Sequence, residues 1–273
     1  MRNCHLIWLT FITTFAVFAG ISDAHAQDGI SVSESRPQSY RQYDIHLGGG
    51  AIYKPKYPGA DKSVVYPFPI ISVGSFFIPG LGQVVDNQNI RRGFNIYPSF
   101  DFYGTRKASD SPDLIGTTEI DWALELGFGI GYRYDWIRGF FELRQGFNGH
   151  TGQTADLGID FIMNPFDRLE FRFGPRATWG SNEFMETYFG VTPAEAASPG
   201  SILTPFSASS GFKSVGVAAL ASYSLSEFTT LHLRGSWDRF IGDAEDSPIV
   251  QAGKEDQFSL GAGITYRFVF DVF

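Results

Sequence analysis

Glu119 to Asp135 reads EIDWALELGFGIGYRYD, and this stretch decides the fold class. Ile120, Trp122, Leu124, Leu126, Phe128, Ile130, Tyr132 and Tyr134 fall on one side of an extended chain. Glu119, Asp121, Ala123, Glu125, Gly127, Gly129, Gly131, Arg133 and Asp135 fall on the other. Eight apolar residues in strict alternation far exceed the ~5–6 residues of a soluble strand. The same period recurs along the chain. Tyr43, Ile45, Leu47, Ala51 and Tyr53 form one such face. Others are Phe94, Ile96, Phe100 and Phe102; Ala155, Leu157, Ile159, Phe161 and Met163; and Leu169, Phe171, Phe173 and Trp179. Val215, Val217, Tyr223, Leu231, Leu233 and Trp237 continue the pattern, and Phe258, Leu260, Ala262, Ile264, Tyr266 and Phe268 complete it.

Each segment is apolar on one side and charged or glycine on the other. A soluble sandwich or lipocalin-type barrel would have shorter strands and more Lys, Glu and Thr outside. The pattern therefore predicts an all-β chain, a transmembrane antiparallel up-and-down β-barrel. Lipid offers no hydrogen bonds, so a sheet can cross it only by closing on itself. The 273 residues are 43% hydrophobic, 16% aromatic and only 18% charged, which excludes a disordered polar chain. Net charge is −8 with scattered Lys and Arg, which excludes a nucleic-acid partner.

The first 26 residues read as a cleaved signal peptide, with Arg2 ahead of an apolar run from Leu6 to Gly20 and Ala24-His25-Ala26 as the cleavage site. The expectation is export to the outer membrane, with a flexible periplasmic leader over 27–42 and a barrel over 43–273. The single cysteine, Cys4, belongs to the signal, so no disulfide contributes to the mature fold.

Connection lengths give the topology. Short turns lie at Tyr134–Trp136, Met163–Arg168 and Ser224–Glu227, and long polar connections at Lys54–Lys62, Gly104–Thr118, Gly180–Gly211 and Gly242–Asp256. Short turns belong on the periplasmic side. Both termini then lie in the periplasm and the strand number is even. Ser63–Val73 and Ser75–Val85 as single strands give eleven; splitting the second at Pro79-Gly80 gives twelve. Twelve is the expectation, and ten the alternative if this stretch does not span.

The amphipathic last strand ends in aromatics, and Ile264, Tyr266 and Phe268 form the signal by which the barrel-assembly machinery would recognise it. Asp271 breaks the register, so Val269–Phe273 is either an overhang or part of an atypical signal. Tyr53, Tyr134, Trp136, Trp179 and Trp237 are expected at the two membrane interfaces as aromatic belts.

Inward-facing charges are Asp101, Asp121, Glu125, Arg133, Glu142, Arg144, Glu170, Arg172, Arg176 and Arg234, together with Asp44 and Asp160. These must pair across strands or line water. At twelve strands the interior lies between one filled by side chains and an open channel, and a constricted or plugged lumen is the reading adopted. In the long connection after Gly180, Thr192-Pro193-Ala194-Glu195 is a capping box with proline at the first helical position, predicting a short helix over Pro193–Ala197. Asp243, Glu245, Asp246, Glu255 and Asp256 form an acidic loop, either simply solvated or holding divalent ions against lipopolysaccharide. His46, His150 and His232 belong to no nucleophile motif or metal spacing, so neither an enzyme nor a cofactor is expected.

Several blocks resemble the MipA/OmpV outer-membrane proteins. They include GGGAIYKPKYPGADKSVVYPFPIIS (48–72), QGFNGHTGQTADLGIDF (145–161), ETYFGVTPAEAASPG (186–200), FSASSGFKSVGVAALASYSLSE (206–227), RFIGDAEDSPIV (239–250) and GITYRF (263–268). The resemblance implies an integral outer-membrane barrel of a Gram-negative bacterium. It also implies a scaffold that brings a murein hydrolase and a murein synthase together, with adhesion or a small porin-like channel as the alternative role. It carries over no catalytic residue.

Overall fold

The computed structural model describes residues 41–78, 82–85 and 92–272. The expected signal peptide and most of the leader lie outside them. Among the described residues, eleven antiparallel strands form one sheet: β1 (Arg41–Pro55), β2 (Ser63–Ile78), β3 (Gly82–Val85), β4 (Arg92–Tyr103), β5 (Ala123–Tyr134), β6 (Ile137–Asn148), β7 (Gln153–Phe166), β8 (Leu169–Gly180), β9 (Gly211–Ser224), β10 (Thr229–Phe240) and β11 (Asp256–Val272). No described helix is long and apolar enough to cross a membrane.

Strands follow one another in sequence order around the sheet, and β1 pairs with β11 from Arg41↔Val272 to Tyr53↔Leu260. The two terminal strands therefore lie side by side, as an up-and-down meander requires. Among the described residues β3 and β4 share no ladder. The sheet nonetheless curls until its ends approach: Tyr66 on β2 meets Phe102 on β4 edge-on at 6.5 Å. Lys54 Nζ on β1 reaches across to donate to the Phe102 carbonyl at 2.8 Å.

Among the described residues the strands number eleven and not twelve, because Ser63–Ile78 is one strand where two were expected. Asp44 pairs with Ser75 and Ile45 with Val73, so Gly74 is an extra residue in the ladder. The interruption that suggested a break is a β-bulge, which bends a strand without ending it. The split near Pro79-Gly80 agrees with the described pairing, since Ile78 faces Gly82 and Ser75 faces Val85 across a hairpin. Of the two readings of Val269–Phe273, an overhang does not fit the described part, since β11 continues past Phe268 and pairs with β1 to Val272.

Side chains sort as the alternation dictates. Leu126, Phe128, Ile130, Tyr132 and Tyr134 are exposed on β5, as are Leu233 and Trp237 on β10 and Phe258, Leu260, Ile264, Tyr266 and Phe268 on β11. Glu125, Arg138, Arg144, Asp160, Arg172, His46 and His232 are buried. The polarity of a soluble protein is inverted, since a soluble monomer does not expose so continuous an apolar surface. Strands of 12 residues reach about 40 Å, enough to cross the ~25 Å apolar band of an outer-membrane barrel when tilted. Tyr134 and Trp136 ring one edge of this coat, and Tyr53 and Trp237 the other.

One outward assignment is corrected. β5 starts at Ala123, and Ile120 is a buried loop residue that pairs with Arg106 in an isolated bridge. Alternation ran on past the end of the strand.

A charge placed at the centre of the lipid-facing coat should oppose insertion. Phe128→Arg, at a position 53% exposed in mid-strand, is expected to cost about 2–4 kcal/mol. Loss of heat-modifiable migration on gels and of refolding into vesicles would follow. Refolding at the unmodified level would place Phe128 on the wrong face.

Candidate functional site

Two structures occupy the inside of the curl, a lattice of ion pairs between the strands and a folded cap over one end. The lattice centres on Arg144 of β6. Its Nε donates to Glu125 Oε2 at 3.0 Å, Nη1 to Glu142 Oε2 at 2.8 Å and to Ser99 Oγ at 3.0 Å, and Nη2 to Asp156. One guanidinium thus binds three carboxylates from β5, β6 and β7. Thr154 Oγ1 donates to Glu125 at 2.6 Å, and the Tyr97 hydroxyl donates to Glu142 at 2.9 Å. The glycine row of β5 makes room for this lattice: a Cβ on Gly129 would lie 2.4 Å from Cζ of Tyr97.

A second pairing lies beside it. Arg138 and Arg176 both bind Asp160, and the Phe140 ring lies 5.2 Å from the Arg138 guanidinium and 4.9 Å from that of Arg176. Each cation therefore has a carboxylate on one side and a ring face on the other. Toward the end with the short turns, His232 Nε2 lies 2.9 Å from Thr265 Oγ1, and its Nδ1 lies 3.3 Å from Ser222 Oγ.

Of the inward candidates, Asp101, Glu142, Arg144, Arg172, Arg176 and Arg234 border one cavity of about 230 Å³. Glu125 lies fully buried behind Arg144, and Glu170 binds Arg172 Nε at 2.7 Å. Two candidates do not join them. Asp121 precedes β5 and is exposed at the cap end, and Arg133 bonds to the carbonyl of Asp135 in the short turn.

The cap is the part that sequence reasoning underestimated. Besides the expected α2 (Pro193–Ala196), the connections hold α1 (Asn182–Phe189), α3 (Asp243–Asp246) and α4 (Pro248–Ala252). Phe184, Met185, Tyr188 and Phe189 of α1 pack with Ile120, Phe240, Ala244 and Val250. Tyr57, Leu114, Val191, Leu203 and Ile249 form a second core beside it. Helical spacing was present in NEFMETYF, where apolar residues recur at the first, second, fifth and sixth of Phe184–Phe189. Its place in a long connection masks that signal.

Polar ties join all four long connections. Lys56 Nζ donates to Asp110 at 2.7 Å, the Thr118 N–H to Glu195 at 2.7 Å, Ser247 Oγ to the Phe189 carbonyl at 2.6 Å, and the Lys254 N–H to the Gly59 carbonyl at 2.9 Å. Arg106 Nη1 donates to the Tyr188 carbonyl at 2.9 Å. Burial pulls the Arg106 guanidinium down to about 10 and pushes the Tyr188 hydroxyl up. The cap rests on the lattice through His150, whose Nε2 lies 3.3 Å from Glu125 Oε1 and whose ring meets Phe184 at 5.1 Å. A Cβ on Gly146 would lie 2.1 Å from that imidazole, so the hairpin needs glycine there. The acidic loop is turned onto Arg239, which reaches Glu255 at 2.5 Å, Asp256 at 3.3 Å and Glu245 at 3.8 Å.

A family model described as MltA-interacting protein MipA matches residues 47–268. The chain belongs to that family. The span matched runs from β1 to β11 and takes in the whole ionic lattice and cap. No curated protein matches the chain. Among solved structures, Neisserial surface protein A aligns at 9% identity and a TM-score of 0.26, over 83% of this chain and 97% of its own. Ail, the attachment invasion locus protein of Yersinia pestis, aligns at 9% and 0.29, over 85% and 100%. The outer membrane protein OprD from Pseudomonas aeruginosa aligns at 13% and 0.31, over 94% and 73%.

Two variants test the site. Arg144→Ala leaves three carboxylates without their shared cation and should destabilise the fold by about 3–5 kcal/mol in urea titrations on vesicles. Ser99→Ala removes one neutral partner and should cost about 1 kcal/mol. Equal losses would remove Arg144 from the centre of the lattice.

The cap should respond to acid. Burial alone would raise the Glu195 carboxyl, but bonds from Thr118 and Thr192 outweigh it and hold the group below its ordinary value. Its stabilisation is complete above the unfolded carboxylate pKa of about 4.3 and disappears as pH falls through the lower folded value. Pepsin cleavage within 180–211 should rise steeply across that window in the parent protein. In Glu195→Gln the same segment should be cut more readily at every pH with a flatter profile.

Proposed function

We propose that this chain is a non-enzymatic outer-membrane β-barrel, closed at its loop-bearing end, that anchors a murein-processing partner at the membrane. The curled sheet completes its barrel between β3 and β4. The signal peptide over residues 1–26 exports it, and the leader over 27–42 extends into the periplasm. The observation that carries this reading is the cap, where Phe184, Met185, Phe189, Leu114 and Ala244 are each 0% exposed over the mouth. A mouth filled by a packed core favours an anchor over a channel.

The family description supplies the class of partner, since it names an interaction with MltA. Lipid, lipopolysaccharide and the barrel-assembly machinery are the other partners, the last engaging Ile264, Tyr266 and Phe268, which lie exposed in one row. The short turns carry exposed Trp136, Phe166, Leu225 and Phe228 and would share the periplasmic contact with the leader. The cavity lined by charges favours the porin-like alternative, and conductance separates the two readings.

In planar bilayers the intact protein should show no more than leak current. Replacing residues 181–210 with a short Gly-Ser linker should give discrete openings. Co-purification of an MltA-type murein hydrolase should survive that deletion and be lost when the leader and the three short turns are exchanged. Steady conductance from intact protein, or hydrolase capture indifferent to those exchanges, would contradict the anchor.

A further inference from the structure

We propose that Arg172 holds a small oxyanion, of the carboxylate or phosphate class, inside the curl. Arg172 is 2% exposed and lies near the start of β8, at the end away from the cap. Its Nε donates to Glu170 Oε1 at 2.7 Å. Nη1 and Nη2 are buried and have no hydrogen-bond partner among the described residues. The residue borders the cavity of about 230 Å³.

Arg144 shows how this interior treats a guanidinium it uses structurally: three carboxylates and a hydroxyl take up its donors. Arg176 likewise has Asp160 and two backbone carbonyls. Arg172 departs from this rule. Leaving charged donors buried and unmade is costly, so a fold that keeps them has a partner for them. The Nη1–Nη2 edge is planar and fixed, and it matches two oxygens of a carboxylate or phosphate in a bidentate pair.

The surroundings select size and sign. Arg176 and Arg234 border the same cavity and add positive potential. Five acids border it as well: Glu142 and Asp156 are held by Arg144, Asp160 by Arg138 and Arg176, Asp101 lies 4.0 Å from Lys54 Nζ, and Asp238 accepts from Ser236 Oγ at 3.2 Å. The volume equals several water molecules at ~30 Å³ each, which suits an ion of phosphate or short dicarboxylate size. This assignment is independent of the anchoring role, since neither the leader nor the turns contribute to it.

Isothermal titration of the full chain in detergent micelles, with inorganic phosphate and separately with succinate, tests the site. One saturable site per chain is expected for at least one of the two, and the preferred ion identifies the source. Arg172→Gln should weaken binding tenfold or more, while Arg133→Gln, in the short turn, leaves it unchanged. Absence of saturable binding for both ions, or equal affinity in a folded Arg172→Gln protein, overturns the proposal. Should Arg172→Gln lose its heat-modifiable folded form, Glu170→Gln decides instead. Removing that competing carboxylate should tighten binding threefold or more, and an unchanged or weaker affinity overturns the proposal.

Discussion

A strand face that looks onto lipid can make no hydrogen bond and shelter no charge, and the rest of this structure follows from that constraint. Every polar side chain of a spanning segment has to turn inward. The interior consequently receives carboxylates and guanidiniums from all sides at once. Their desolvation is tolerable only if they meet each other, as Arg144 meets Glu125, Glu142 and Asp156. The apolar coat and the ionic interior are thus one requirement seen from two sides. Glycine at 129 serves the same end, clearing space for the Tyr97 ring to reach Glu142.

The cap obeys the opposite rule. Its connections leave the membrane, and there the chain returns to soluble-protein logic, with Phe184, Phe189 and Leu114 buried and capped helices around them. Two folding regimes meet at His150, which touches Glu125 of the lattice and Phe184 of the cap. Such a junction puts the ionic interior and the apolar cap in direct contact through one side chain.

Much of this was legible in the residues. Period-two alternation located β5, β9, β10 and β11 and put Phe128, Leu233 and Tyr266 outside and Glu125 and Arg144 inside. The capping box at Thr192–Glu195 located α2. What was not legible has physical reasons. Alternation tells which way a side chain points but not its height in the sheet, so the convergence of Arg144 on acids from three strands depends on register and could not be read. Ile120 and Asp121 carry the alternation although the strand begins only at Ala123. A bulge at Gly74 looked like a strand boundary, because one extra residue interrupts the period as a turn does. The packed cap was hidden by the rule that long connections are polar, although NEFMETYF carried a helical stripe.

The central claim is that the apolar faces of the strands touch lipid and the charged faces do not. Cys4, the only cysteine, falls within the expected signal peptide, so single cysteines can be introduced into the barrel one position at a time. An environment-sensitive fluorophore placed successively at residues 125–131 of β5, in vesicles containing brominated lipid, reports contact with acyl chains directly. Quenching should alternate residue by residue, strong at 126, 128 and 130 and weak at 125, 127, 129 and 131. Uniform quenching along the strand, or an alternation of the opposite phase, would contradict the account.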